Sequence, residues 1–157
     1  MTMSIDQLIQ SGVDQAKTVL IGKPDAELIP TFVIQFKDRP PAIIGAPWSN
    51  NDEKIAITES MRIMLKLYRS SVTSYLFWSE AWMATEDLKH PIGLQPRDRE
   101  DRKEVVMINA FDHKGGKMTT LEIERGPDGV VTGLPKLKDA ADYDRLGGRL
   151  YNLLKDD

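Results

Sequence analysis

Cysteine is absent from the 157 residues of this chain, and histidine occurs only twice. Without cysteine there can be no disulfide bond, no thiol nucleophile and no thiolate metal site. The two histidines, His90 and His113, lie in turn-like stretches and have no second histidine at ligand spacing. The sequence therefore predicts neither a metal site nor a cofactor, and the lack of thiols is typical of a reducing compartment.

Long apolar runs and an excess of basic residues are also lacking. No window approaches the roughly 20 apolar residues of a membrane-spanning helix, and residues 1–6 have no basic or apolar part of a secretion signal. A net charge of −3 gives no general attraction to nucleic acid or to an anionic membrane. These absences predict a cytoplasmic protein that binds neither membrane nor nucleic acid.

The familiar catalytic sequence motifs are missing as well. The chain has no G-x-S-x-G elbow, no P-loop and no G-x-G-x-x-G after a strand. Gly115-Gly116 is not followed by the helix that a phosphate-binding loop needs. The sequence thus indicates no enzyme class, although it does not exclude catalysis.

What is present is an ordinary globular composition, with 41% hydrophobic and 29% charged residues. The length predicts one domain over residues 1–157, and the order of its elements predicts the α+β class. Apolar residues at helical spacing predict a first helix from about Ile5 to Gly22, with Ser4 as its cap, and a second after Trp48. Strand-like alternation follows each helix, and a last helix is predicted from about Asp139.

The elements are predicted in the order α-β-β-α-β-β-β-α. We expect one five-stranded, mainly antiparallel sheet with the helices packed on it. Pro40 and Pro41 favour an edge position for the second strand, since proline cannot donate to a ladder. This element order is similar to that of profilin-like and roadblock-type folds, and more loosely to type III secretion chaperones, a likeness that carries no function.

The second helix carries its basic residues Arg62, Lys66 and Arg69 on one face. The simpler interpretation is a solvated helix surface, and the alternative is a phosphate or nucleic-acid site. The net negative charge of the chain disfavours nucleic acid.

Residues 72–84 and 104–111 are predicted to form the central hairpin. On the first strand both alternating faces carry large apolar groups, which predicts a middle strand covered on both sides, or covered on one side and packed against a partner subunit. The second alternative makes the aromatic residues candidate interface residues: Tyr75, Phe77, Trp78 and Trp82.

The connection between these strands, residues 85–102, is dense in charge of both signs. Six acids and five bases lie between Glu86 and Glu104, and this near balance favours internal ion pairs or a solvated loop. The alternative is a ligand site in which arginine side chains bind a carboxylate or phosphate and Glu80 lies beside them. The candidate ligand-binding residues are Glu80, Arg97, Arg99 and Arg102.

The same hairpin carries a family resemblance. Ser79-Glu80-Ala81-Trp82, followed by the stretch from Pro96 to Val106, resembles a pattern in small bacterial and phage α+β proteins of no assigned activity. The resemblance covers about a fifth of the chain and implies the hairpin but no function.

Two functional hypotheses follow. The first is a non-enzymatic protein-interaction protein that forms a homodimer through the aromatic face of the sheet. The second is a small anionic-ligand sensor, or a modest enzyme, with a pocket between the sheet and residues 85–102.

Overall fold

The computed structural model describes residues 2–83, 103–142 and 153–154 of the chain. Within these ranges lie two helices, α1 (Ile5–Leu20) and α2 (Asn51–Leu67), and eight strands. The strands are β1 (Thr31–Phe36), β2 (Ala42–Gly45), β3 (Val72–Met83), β4 (Lys103–Asp112), β5 (Gly116–Glu122), β6 (Glu124–Arg125), β7 (Val131–Gly133) and β8 (Lys136–Asp142).

Six of the strands form one antiparallel sheet in the order β2-β1-β3-β4-β5-β8. The predicted α+β class with a large antiparallel sheet is therefore confirmed. The predicted edge position of β2 is confirmed among the described strands, where β2 pairs with β1 alone. The two short strands β6 and β7 pair with each other as a separate hairpin.

The sheet has a sixth strand where five were predicted. Residues from Asp139 to Asp142 belong to β8, which pairs with β5, and not to the start of a last helix. Lysine, aspartate and alanine have low strand propensity, so the pairing with β5 outweighs the local preference. The rest of the predicted last helix lies outside the described residues, apart from Leu153 and Leu154, which are buried.

Helix α1 begins as its sequence predicts. Ser4 accepts a hydrogen bond from the Gln7 backbone N–H, and the Gln7 side chain accepts one from the Ser4 N–H, which completes a capping box. The predicted apolar stripe of α1 is buried against the sheet, mainly against β3 and β4. The helix ends at Leu20, and Gly22 follows with φ +80°.

Strand β3 lies in the middle of the sheet and is buried on both faces over most of its length. The face toward α1 contributes Leu76 and Trp78 to one core, together with Val106, Ile108 and Leu121. The opposite face contributes Tyr75 and Phe77 to a second core, which includes the following residues: Phe32, Met61, Leu65, Phe111, Leu153 and Leu154. The prediction of a middle strand covered on both sides is confirmed for Val72–Ser79, after which β3 becomes more exposed.

The turn between β4 and β5 does not depend on a glycine with positive φ, since among the described residues only Gly22 and Gly129 have positive φ. The turn is instead held by Asp112, whose side chain accepts hydrogen bonds from the N–H groups of Lys114 and Gly115. Gly116 is needed for space, because a Cβ there would clash with the Phe111 ring and would lie 2.6 Å from the Ala110 carbonyl oxygen.

Neither helix in the described part of the chain has both the length and the apolar character to cross a membrane.

Candidate functional site

The four aromatic residues predicted at an interface lie in two environments. Tyr75 and Phe77 belong to the core beneath α2, and Trp78 to the core beneath α1. Trp82 alone is exposed, with 43% of its surface accessible. Since the chain itself covers both faces of β3 around the first three residues, an interface built from all four is not present on this fold.

Glu80 does not have the buried environment that its aromatic neighbours suggest. The residue is exposed near the end of β3, and its carboxylate accepts a hydrogen bond from the Leu28 backbone N–H at 3.2 Å. Neighbouring atoms still desolvate the carboxyl group in part, and this raises the pKa of Glu80. The negative charges of Glu104 and Glu27 raise the pKa further, while the N–H of Leu28 and the charge of Arg125 oppose the rise.

The described arginine near Glu80 is already engaged with another acid. Arg125 donates to Glu104 from Nε at 2.8 Å and from Nη2 at 3.3 Å, and its Nη1 donates to the carbonyl oxygen of Gly129 at 2.9 Å. This forked pair holds the turn after β6 against the start of β4. Arg125 was not among the candidate site residues predicted from the sequence, because it lies outside the charged stretch from Glu86 to Glu104.

A small cavity lies beside these carboxylates, with a volume of about 160 Å³. Its lining residues are Glu80, Ala81, Trp82, Glu104 and Ile123. Pockets that bind small molecules usually measure roughly 300–1,000 Å³. The part of the predicted ligand site that the structure describes is therefore small and acidic, which does not suit an anion.

The remaining predicted ligand-binding residues, Arg97, Arg99 and Arg102, lie outside the described residues, as does His90. The other histidine, His113, forms a hydrogen bond through Nε2 to the Val72 carbonyl oxygen at 2.7 Å and so ties the β4–β5 turn to β3. Across the residues with described positions, no three histidine or acidic side chains are grouped so as to hold a metal ion.

Within the described part of the chain, helix α2 exposes large apolar side chains on its outer side. Asn50 caps this helix through a hydrogen bond from the Glu53 N–H, and the buried side presents Thr58, Met61 and Leu65 to the sheet. The outer side carries two large apolar residues in water: Ile63 is 60% exposed and Leu67 is 76% exposed.

These two residues continue a line of exposed positions along α2. We call this line the α2 seam; its members are Ala56, Ser60, Ile63 and Leu67. The members are spaced by four, three and four residues, so they share one side of the helix. The apolar residues that predict α2 form its buried stripe, and the seam is a second pattern at helical spacing in the same stretch.

Charge is divided along α2. The first half carries the exposed acids Asp52, Glu53 and Glu59, and the end of the helix carries Arg62 and Lys66, followed by Arg69. This division favours the helix itself, since acids lie at the positive end of the dipole and bases at the negative end. Within the helix, Arg62 and Glu59 form an ion pair at 3.5 Å.

Comparison with known proteins adds no relative: no family model, curated protein or solved structure matches the chain. The resemblance to small bacterial and phage proteins stays a prediction.

Proposed function

We propose that the protein acts by binding another protein chain, and that it does so through the α2 seam. The observation that carries this proposal is the exposure of Ile63 and Leu67 on a helix whose opposite side is packed in the core. A surface helix normally places its large apolar residues in one stripe that faces the core. Helix α2 has that stripe and also a second apolar stripe, which is exposed to solvent.

Energetics support a role for the second stripe in association. Full burial of an isoleucine or leucine side chain is worth about 1.5–3 kcal/mol. Tyr68, the residue after Leu67, is 47% exposed at the end of the helix, where the Arg39 guanidinium lies 5.9 Å from its ring centre. Ile63 and Leu67 lie one turn apart on the same side of α2, whereas apolar residues that are exposed singly are ordinary.

The aromatic pattern of β3 suggested a protein partner, and the α2 seam also suits a protein partner. The binding surface that we propose is therefore the α2 seam and not the face of β3. Tyr75, Phe77 and Trp78 contribute to the stability of the folded chain, because they are buried in its two cores. The alternative of a small anionic ligand has less support, since the described cavity is acidic and small.

A site-specific photo-cross-linker tests the proposal. We would incorporate p-benzoylphenylalanine in place of Leu67 and, as a matched control, in place of Ile43, which is 73% exposed on the edge strand β2. Irradiation of cells of the source organism should give a protein adduct at position 67 and none at position 43. No adduct at position 67, or equal adducts at both positions, would contradict the proposal.

A further inference from the structure

We propose that the partner of the α2 seam is a second copy of this chain, with the two α2 helices packed antiparallel about a two-fold axis. This inference rests on the proposed function, because it names the chain that the seam binds. It is carried by three properties of α2: the spacing of the seam, the sizes of its side chains and the division of its charge.

The spacing of the seam matches that of a helix pair. Steps of four, three and four residues average close to the 3.5-residue repeat that keeps one stripe facing a partner helix. Two such stripes pack with the helices crossing at about 20°. The buried stripe of α2 lies on another side of the helix, so α2 can contact the sheet and a second helix at once.

The side-chain sizes favour the antiparallel direction. With the axis between Ser60 and Ile63, Leu67 of one copy packs on Ala56 of the other, and Ile63 packs on Ser60. Each large side chain then meets a small one, which fills the space between two helices evenly. A parallel pair would place Leu67 on Leu67 at one end and leave Ala56 opposite Ala56 at the other.

The charge division favours the same direction. In the antiparallel pair, the acidic first half of each helix lies beside the basic end of the other, and Glu59 of each copy neighbours Lys66 of the other. A parallel pair would set acid beside acid and base beside base, which is unfavourable. A different protein whose surface carries charge of one sign would complement the charge of only half of α2. A second copy of the chain complements both halves.

The dimensions of the seam set the expected strength of the dimer. The line from Ala56 to Leu67 is about 16 Å long at the helical rise of 1.5 Å per residue. We expect a contact confined to this line to bury less than the roughly 1,200 Å² that marks the low end of stable complexes. We therefore expect a reversible dimer, and its association should be measured from about 1 to 500 μM.

Sedimentation equilibrium on charge-reversed variants tests the pairing. Glu59→Lys and Lys66→Glu should each raise the dissociation constant of the homodimer about tenfold, because each variant places like charges together twice. A 1:1 mixture of the two variants should recover wild-type affinity as a heterodimer, since every Glu59–Lys66 position then again joins opposite charges. A loss of helix stability cannot produce this recovery.

Introduced cysteines test whether the two helices are antiparallel. Because the chain has no cysteine of its own, only the introduced thiols can form a disulfide. In the antiparallel pair, Ala56→Cys and Leu67→Cys should form a disulfide only when the two variants are mixed, because identical positions lie about 16 Å apart along the axis. Disulfides in each variant alone would show a parallel pair and overturn the inference.

A wild-type chain that stays monomeric at all concentrations would also overturn the inference. That result would leave the proposed function standing if the cross-linker at position 67 still captures a different protein. An absence of adducts at position 67 would remove the proposed function itself.

Discussion

The hydroxyl oxygen of Tyr75, in the middle of β3, accepts a hydrogen bond from the backbone N–H of Leu153 at 2.9 Å, across 78 residues of sequence. Both residues are buried in the core beneath α2. The bond therefore ties residues near the C-terminus to the central strand of the sheet, and it gives a buried N–H group the partner that it needs.

Loss of this hydroxyl should lower stability. We expect Tyr75→Phe to reduce the free energy of unfolding by about 1–2 kcal/mol, because the Leu153 N–H would stay buried without this acceptor. Urea denaturation followed by tryptophan fluorescence measures the change. Tyr68→Phe, on the exposed end of α2, is the matched control and should change stability by less than about 0.5 kcal/mol. Equal effects of the two variants would contradict the role of the bond.

Gly116 should not tolerate even one methyl group. In Gly116→Ala the new Cβ would meet the Phe111 ring and the Ala110 carbonyl oxygen, and the backbone oxygen cannot move aside without disturbing β4. We expect a loss of about 1–3 kcal/mol in unfolding free energy, measured by chemical denaturation. Gly45→Ala in β2 is the control: a Cβ there has no atom within 4 Å, and we expect little change. Similar losses in both variants would show that the close contact at Gly116 is not the cause.

The raised pKa of Glu80 predicts a pH dependence of stability. Desolvation raises the pKa in the folded state above its unfolded value, so the native state binds more protons between the two pKa values. The contribution of Glu80 to the free energy of unfolding is then fully present below the pKa of the unfolded state. It is lost as pH rises through the pKa of the folded state. Glu80→Gln should remove this loss and make the variant more stable than wild type at pH 7. Thermal unfolding at pH 4 and pH 7 checks this, and an equal pH response of both proteins would contradict it.

Arg125 should hold the pKa of Glu80 down through its charge. In Arg125→Gln the opposing positive charge is lost and Glu104 loses its forked partner, so the pKa of Glu80 should rise further. Carboxyl-detected NMR titration of Glu80 measures the shift. Lys103→Gln is a suitable control, because Lys103 pairs with Glu122 at 3.7 Å and is not among the groups that shift Glu80. A pKa of Glu80 that stays the same in Arg125→Gln would contradict the electrostatic picture.

The sequence predicts the elements whose patterns are strong and local. Ser4 marks the start of α1, and the two-sided apolar pattern from Val72 to Ser79 predicts the middle strand. By contrast, β8 depends on pairing with β5, and its own residues give little strand signal. Long-range pairing of this kind cannot be read from propensity.

The candidate site was harder to predict than the fold. The sequence indicated the aromatic residues of β3 as candidate interface residues. An apolar pattern, however, does not show whether a face of a strand is covered by the chain itself or by a partner. Tyr75 and Phe77 are covered from within, while Ile63 and Leu67 are not covered. Their exposure becomes clear only once the buried side of α2 is known.

The edge strand β2 has a consequence for behaviour at high concentration. It has four residues, and the two positions before it, Pro40 and Pro41, carry no backbone N–H. A strand from another molecule would find too few donors there to form a long ladder, even though Ile43 offers apolar surface. This edge of the sheet is thereby protected from edge-to-edge growth into fibres.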